Sequence, residues 1–143
     1  MKISKAYDIL RTIKKDISKL KNQNGDFLYS NKLQYNIENK NEVFHATMLD
    51  EVLHKLEDVS HLLTYMETDI LIEGRVVKDN KKGYIVKGIE YYPLSIGSII
   101  EYLDPTEKVW KKSHIHSHQN NYFIAALGKN ITIENLYIRI RKK

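Results

Sequence analysis

Three histidines near the middle of the C-terminal half have the chemistry of metal ligands. His114, His116 and His118 alternate along a stretch predicted to be a β-strand, so all three face the same side. Two of them could chelate zinc with a third ligand from elsewhere in the fold. No carboxylate is placed nearby by the sequence itself, and Ile115 has the position of a core residue. We therefore favour a solvated strand face and expect no bound metal.

A second group of ligand-type residues lies on a predicted helix. His54, Glu57, Asp58 and His61 follow the spacing i, i+3, i+4, i+7 and share one helical face. Carboxylate and histidine at this spacing occur in di-metal helical bundles, which repeat the set on other helices. The first predicted helix offers only two aspartates, so a solvated face is the better interpretation.

Motifs of catalysis are missing from the chain. It has no cysteine, which excludes disulfides, thiolate zinc sites and cysteine nucleophiles. It has no Gly-x-Ser-x-Gly elbow, phosphate-binding loop or dinucleotide fingerprint. We predict a protein that is not an enzyme and needs no cofactor. A metal-dependent hydrolase that uses the 114–118 histidines, or a small nuclease assembled in space, is the alternative.

Charge is unevenly distributed along the 143 residues. The net charge is +5, from 23 Lys and Arg against 18 Asp and Glu. Residues 1–22 carry +5, residues 23–68 carry −5 and residues 69–143 carry +5. We expect the first two segments to lie against each other, which leaves the excess in the C-terminal half. Part of this excess could reflect AT-rich codons, since Lys, Ile and Asn are all frequent.

The C-terminal half carries the signal for binding to nucleic acid or to an acidic partner. Lysines cluster in one predicted turn and again around the single tryptophan, and two arginines alternate along the last predicted strand. The candidate residues are Lys78, Lys81, Lys82, Trp110, Lys111, Lys112, Arg139 and Arg141. Ordinary strand packing with solubilising lysines is the alternative.

Two apolar rows with heptad spacing predict two helices. The first row is Ile3, Ala6, Leu10, Ile13, Ile17 and Leu20, and the second is Leu49, Val52, Leu56, Val59, Leu63 and Met66. We expect the first helix to end near Asn22–Gly25 and the second to begin at Thr47 as N-cap. Because the rows match and the charges are opposite, we predict an antiparallel helical hairpin over 1–68, with an apolar connecting segment 23–46. Homodimerisation through the helices is an open alternative.

From residue 69 the hydrophobic period changes to two. Strands are predicted at Ile70–Val77, Tyr84–Lys87, Ser98–Leu103, Val109–Ser117, Tyr122–Leu127 and Tyr137–Arg141. Five or six short antiparallel strands over 69–143 are typical of a small SH3-like or OB-like β-barrel. The predicted fold class is therefore α+β, with a helical hairpin before a barrel.

The glycines and aromatics of this half form a recognisable pattern. They are Glu73-Gly74-Arg75-Val76-Val77, Gly83-Tyr84, Gly88, Leu94, Ser95, Gly97, Ile99, Trp110, Tyr122, Leu127-Gly128 and Tyr137-Ile138-Arg139-Ile140-Arg141. Over about residues 50–143 the chain resembles a family of small bacterial domains of unknown function, found on phages and mobile elements of low-GC Gram-positive bacteria. The resemblance implies a helix before a β domain and supplies no catalytic residues.

The resemblance also implies a mobile-element accessory protein, a setting in which small proteins block host defence nucleases. We therefore expect a cytoplasmic, non-catalytic inhibitor of the anti-CRISPR type. Its partner would be a host effector or ribonucleoprotein such as a Cas nuclease or its guide RNA, and no membrane. A direct RNA- or DNA-binding accessory or regulatory protein is the alternative.

Overall fold

The computed structural model describes residues 1–28 and 33–143, which form two compact units, Met1–Glu67 and Thr68–Lys143. The first, the helical unit, contains both helices, and the second, the sheet unit, contains all seven strands. Fold class α+β, with helices before an antiparallel sheet, agrees with the prediction. Across these described residues, neither helix combines the length and the apolar character that crossing a bilayer requires.

Two helices, α1 (Ile3–Ser18) and α2 (Lys40–Glu67), make up the helical unit. Arg11 and Lys14 of α1 form ion pairs with Glu67 at the end of α2, at 3.5 and 2.6 Å. Further along α1, Ile17 belongs to one buried cluster with Phe27 and Leu53. These contacts show that the two helices run in opposite directions.

The start of α2 differs from the prediction, and the reason is an asparagine cap. The Asn39 side-chain oxygen accepts the backbone N–H groups of Asn41 and Glu42 at 3.0 and 3.3 Å, and its amide donates to Glu42. This reciprocal pair satisfies free N–H groups of the first turn. Thr47 lies inside α2, where its hydroxyl donates to the carbonyl of Val43. The predicted start at Thr47 is therefore wrong.

Neither predicted apolar row is fully buried. On α1 only Ile17 is buried, and on α2 the buried residues are Ala46, Leu53, Ser60 and Leu63. The buried stripe of α2 is thus rotated from the predicted row, whose members Val52 and Val59 are exposed. In the connecting segment 23–46, Phe27 is buried and pairs with Lys21 in an isolated β-bridge, while residues 29–32 lie outside the described part.

The sheet unit holds seven antiparallel strands in the order β3-β2-β1-β7-β4-β5-β6. They are β1 (Ile70–Asp79), β2 (Gly83–Lys87), β3 (Tyr91–Pro93), β4 (Ile99–Leu103), β5 (Trp110–His118), β6 (Asn121–Ile124) and β7 (Tyr137–Arg141). The strand absent from the prediction is β3, which lies in the expected turn between Gly88 and Gly97. In the described residues the edge strands β3 and β6 do not pair with each other, so the sheet is not closed.

One face of the sheet forms the core, as the period of two predicts. Val76, Val86, Ile100, Ile115 and Ile138 are inaccessible to solvent. The sheet curves enough for β2 and β6 to meet across this core, where the Tyr84 and Tyr122 rings stack at 4.9 Å. Gly74 allows the close approach of neighbouring backbone, because a Cβ there would lie 2.2 Å from the carbonyl oxygen of Lys87.

Candidate nucleic-acid interface on the sheet unit

The strand register lines up charged side chains across the outer face of the sheet. Glu73 of β1 pairs with Arg139 of β7, Arg139 with Glu101 of β4, and Glu101 with Lys112 of β5. Directly opposed residues on one face lie close enough for their side chains to interact. The four residues therefore form a row of alternating charge over four neighbouring strands.

At the centre of this row, Glu101 is buried and binds both candidate arginines. Its carboxylate accepts a hydrogen bond from Nε of Arg139 and another from Nε of Arg141 at 2.6 Å. Arg141 also donates to the carbonyl of Thr68 at 2.6 Å. Burial alone would raise the pKa of Glu101, but the hydrogen bonds from Arg141 and Arg139 outweigh it and lower that pKa. Both arginines thus serve to hold the sheet together.

Trp110 lies beside the same ion-pair group. The guanidinium of Arg139 lies 4.2 Å from the centroid of its ring, and the ring of Tyr137 is 6.0 Å away. A guanidinium over an indole face gives a favourable cation–π contact. Two of the candidate binding residues, Trp110 and Arg139, are therefore in contact with each other in the structure.

Lys111 and Lys112 point to opposite faces of β5. The ammonium group of Lys111 contacts Asp104 at 2.9 Å and Glu107 at 3.0 Å, within the β4–β5 turn. Backbone N–H groups of Glu107 and Thr106, together with Lys111, lower the pKa of Asp104 to about 2. The two carboxylates in turn raise the pKa of Lys111 to about 12. The ammonium group of Lys111 is therefore held by the carboxylates of the β4–β5 turn, whereas Lys112 is exposed on the outer face.

The lysines of the β1–β2 turn are arranged differently. Asp79 accepts the backbone N–H groups of Lys81 and Lys82 at 2.8 Å each, which fixes the turn while both side chains extend into solvent. The ammonium group of Lys78 lies 5.3 Å from the Tyr84 ring centroid and 3.4 Å from the Asn121 side-chain oxygen. No acidic side chain among the described residues forms an ion pair with these three lysines.

Through its contacts with Tyr84 and Asn121, Lys78 adjoins a cleft that the sequence analysis did not predict. The cleft has a volume of about 370 Å³ and is lined by residues that include Tyr84, Tyr122, Asn121, His118 and Lys129. The Tyr84 hydroxyl donates to the Asn121 side-chain oxygen at 3.2 Å, so Asn121 joins β2 to β6. The one sequence feature that pointed to this cleft is the Asn-rich turn between β5 and β6. There Gln119 and Asn120 adopt left-handed backbone conformations, which reverse the chain so that β6 pairs with β5.

The histidines that were considered as metal ligands, on β5 and on α2, are not joined by enough other ligand-type side chains among the described residues to form a metal site. His114 and His116 share a face of β5 as predicted, with their Nε2 atoms 2.9 Å apart, and the ring of Phe123 stacks on His116. On α2, the Nδ1 atom of His54 lies 2.7 Å from the carbonyl oxygen of Asp50. In the described ranges, no three His, Cys, Asp or Glu residues converge as a metal site would require.

Nothing in the described residues points to enzymatic activity. What the sheet unit offers instead is a set of exposed lysines in and beside the β1–β2 turn, of which Lys78 contacts residues that line the cleft. Comparison with protein-family models, with curated proteins and with solved structures finds no match.

Proposed function

We propose that this chain is a non-catalytic binding protein whose sheet unit contacts the phosphate backbone of RNA or DNA. The observation that carries the proposal is the group formed by Lys78, Lys81 and Lys82, of which Lys78 contacts Tyr84 and Asn121 at the Tyr84–Tyr122 cleft. Lysines supply the charge that phosphates need, and the half-buried ring of Tyr122, which lines the cleft, gives a surface on which an unpaired base would stack, whereas Tyr84 beneath it is buried. A single strand therefore fits this surface better than a duplex does.

The distribution of charge supports the same proposal. The helical unit contains ten basic and ten acidic residues, whereas the sheet unit contains thirteen basic and eight acidic ones. Within the sheet unit, Lys111, Arg139, Arg141 and Lys142 form ion pairs with acidic side chains. The excess positive charge that can attract phosphate therefore belongs to other lysines, and the β1–β2 turn concentrates three of them.

The predicted SH3-like or OB-like barrel is part of this proposal. Stacking of Tyr84 on Tyr122 and the Tyr84–Asn121 hydrogen bond support it, because they connect β2 with β6 across the core. A partly open barrel of this kind binds oligonucleotides over a concave face.

The test measures binding of a fluorescent single-stranded RNA as a function of salt. If Lys81 and Lys82 each neutralise a phosphate of a single strand, Lys81→Gln with Lys82→Gln reduces the slope of log K against log salt by about 1.4. The matched control is Lys5→Gln with Lys15→Gln, two exposed lysines of α1. An unchanged slope in the first variant, or an equal loss in the control, would contradict the proposal.

The second candidate is inhibition of a host defence effector, such as a Cas nuclease, by occupation of its surface. A groove of about 340 Å³ on the sheet unit favours it, lined by residues that include Ile70, Leu71, Ile89 and Tyr91. Ile89 is fully exposed and Tyr91 largely so, which phosphate binding does not explain. The apolar surface would contact the effector, and the lysines would contact its guide RNA.

A cleavage assay with a purified Cas ribonucleoprotein tests this second candidate. The chain should reduce target-DNA cleavage, and Ile89→Asp should relieve the inhibition, whereas Ile96→Asp, at another exposed apolar residue, should not. If the chain binds naked RNA but leaves cleavage unchanged, only the direct nucleic-acid interface stands.

A further inference from the structure

Helix α2 carries a second apolar row that the helical unit does not bury. The row is Met48, Val52, Lys55, Val59 and Leu62, and its spacing of 4-3-4-3 is that of a heptad seam. It runs beside the buried stripe that contains Leu53. The four apolar members and neighbouring Leu49 are between 38% and 51% exposed. A helix with two adjacent seams packs against two neighbours in a bundle, and the helical unit supplies one.

Helix α1 shows the same feature. Ile9 and Ile13 are 44% and 42% exposed, although they lie next to the buried Ile17 on the helix surface. Successive residues of an α-helix are about 100° apart. Seen from the N-terminus, Ile9 and Ile13 lie counter-clockwise of Ile17, by about 80° and about 40°.

The two exposed rows lie on one side of the hairpin. On α2, Val52 and Val59 also lie counter-clockwise of the buried Leu53, by about 100° and about 120°. Because α1 and α2 run in opposite directions, the same rotation on both helices directs the two rows to the same side. We call the surface that they share the open face; it comprises Ile9, Ile13, Met48, Leu49, Val52, Val59 and Leu62, with the side chain of Lys55 lying between Val52 and Val59 in the row.

We propose that a second copy of this chain covers the open face, so that two helical units form a four-helix bundle. The exposed fractions give the open face about 600 Å² per copy, or about 1,200 Å² for a dimer, which reaches the size of specific stable interfaces. A patch of this size is at the upper end for monomers. A two-fold axis uses the same face on both copies, so no other partner surface is needed.

Charge indicates which helices meet. Helix α1 has four basic and two acidic residues, whereas α2 has two basic and six acidic ones. Contact between α2 and its own copy would bring two acidic helices together. Contact between α1 of one copy and α2 of the other pairs opposite charges, and two-fold symmetry makes this contact twice. The two-fold axis then runs along the bundle, and each helix is antiparallel to both neighbours.

Sedimentation equilibrium of the full chain tests the dimer. The wild-type chain should approach twice its 16.8 kDa mass over the micromolar range. Val59→Glu places a charge near the middle of the open face and should weaken dimerisation about tenfold to a hundredfold. His61→Glu adds the same charge on an exposed position away from that face and should change it less than about threefold. A wild-type chain that stays monomeric, or equal effects of both substitutions, would overturn the proposal.

Cross-linking tests the arrangement, since the chain has no cysteine of its own. Chains with Ile13→Cys and chains with Leu62→Cys are mixed and oxidised. A disulfide between the two kinds of chain should form faster than one between two Leu62→Cys chains. The reverse order would show that α2 faces its own copy, which would overturn the bundle proposed here. Both variants must retain the wild-type helix signal in circular dichroism, so that misfolding is recognised.

Discussion

The two units are similar in length but bury very different amounts of apolar surface. In the described residues, the buried hydrophobic side chains of the helical unit are Ile17, Phe27, Ala46, Leu53 and Leu63, whereas the sheet unit buries twelve. Each strand of the sheet pairs with its neighbours in a fixed register, and the charged row around Glu101 crosses β1, β7, β4 and β5 on the outer face. In the helical unit, one apolar row of each helix packs against the other helix, and the adjacent apolar row of each helix remains exposed to solvent.

This difference teaches where an external partner is needed. A small domain is stable by itself only if it removes enough apolar surface from water. The sheet unit meets this condition with its own strands and presents lysines and aromatic rings at its surface. Because the helical unit buries fewer hydrophobic side chains, a second copy that covers its exposed rows would stabilise the helices.

The largest effect should come from the core of the sheet unit. Ile138→Ala removes a completely buried side chain next to the strands β1 and β4 and should lower the free energy of unfolding by about 3–5 kcal/mol. Leu53→Ala in the helical unit should lower the free energy of unfolding by about 2–3 kcal/mol, because Leu53 belongs to a smaller buried cluster. Trp110, the only tryptophan, reports on the sheet, and far-UV circular dichroism reports on the helices.

If the units unfold independently, Ile138→Ala shifts the tryptophan transition in denaturant, and Leu53→Ala shifts only the helix transition. Equal shifts of both signals in both variants would show a single cooperative unit, which would break the comparison.

Removal of the charge of Glu101 should have the next largest effect. In Glu101→Gln, Arg139 and Arg141 lose the carboxylate that both of them contact, although their side chains remain largely buried. We therefore expect the free energy of unfolding to fall by about 2–3 kcal/mol. The control is Glu107→Gln, which removes an exposed carboxylate that forms an ion pair with Lys111. This substitution should lower the free energy of unfolding by less than about 1 kcal/mol. If the control costs as much, the buried row has no special part in the sheet.

The sheet unit should also lose stability in acid. Because the folded state lowers the pKa of Asp104 from 3.8 to about 2, its ion pair and turn hydrogen bonds are fully present above about pH 4. This contribution is lost as the pH falls from there towards 2. Asp104→Asn keeps an acceptor for the turn but removes the titration, so its stability should fall less steeply over that range. An unchanged acid slope in unfolding experiments would contradict the role of Asp104.

Local patterns predicted the elements of the chain well. Alternation of apolar residues gave β7 with its observed bounds, and β1 and β5 to within two residues. The missing strand β3 is three residues long, contains Pro93 and pairs only with β2, so it has no periodic signal of its own. Heptad spacing gave both helices, but two overlapping seams on α2 made the choice of the buried stripe ambiguous.

Long-range pairing limited what could be predicted of the site. Arg139 and Arg141 alternate along β7 as phosphate-binding residues would. Both of them, however, form ion pairs with Glu101, which is 38 residues away from Arg139 in the chain. Only the register of β4 against β7 reveals that pairing. The cleft beside Tyr84 was missed for the same reason, because Asn121 and Tyr122 meet β2 only when the sheet curves.

The smallest expected effect separates the observed cap of α2 from the predicted one. Asn39→Ala removes the side chain that accepts two N–H groups at the first turn and should lower stability by about 1 kcal/mol. Thr47→Ala removes a hydroxyl that bonds within the helix and introduces a better helix former, so it should be neutral or slightly stabilising. Thermal unfolding followed by the helix signal measures both. If Thr47→Ala proves the more harmful substitution, the helix is capped at Thr47 and not at Asn39, and residues 40–46 contribute no stable helical turn.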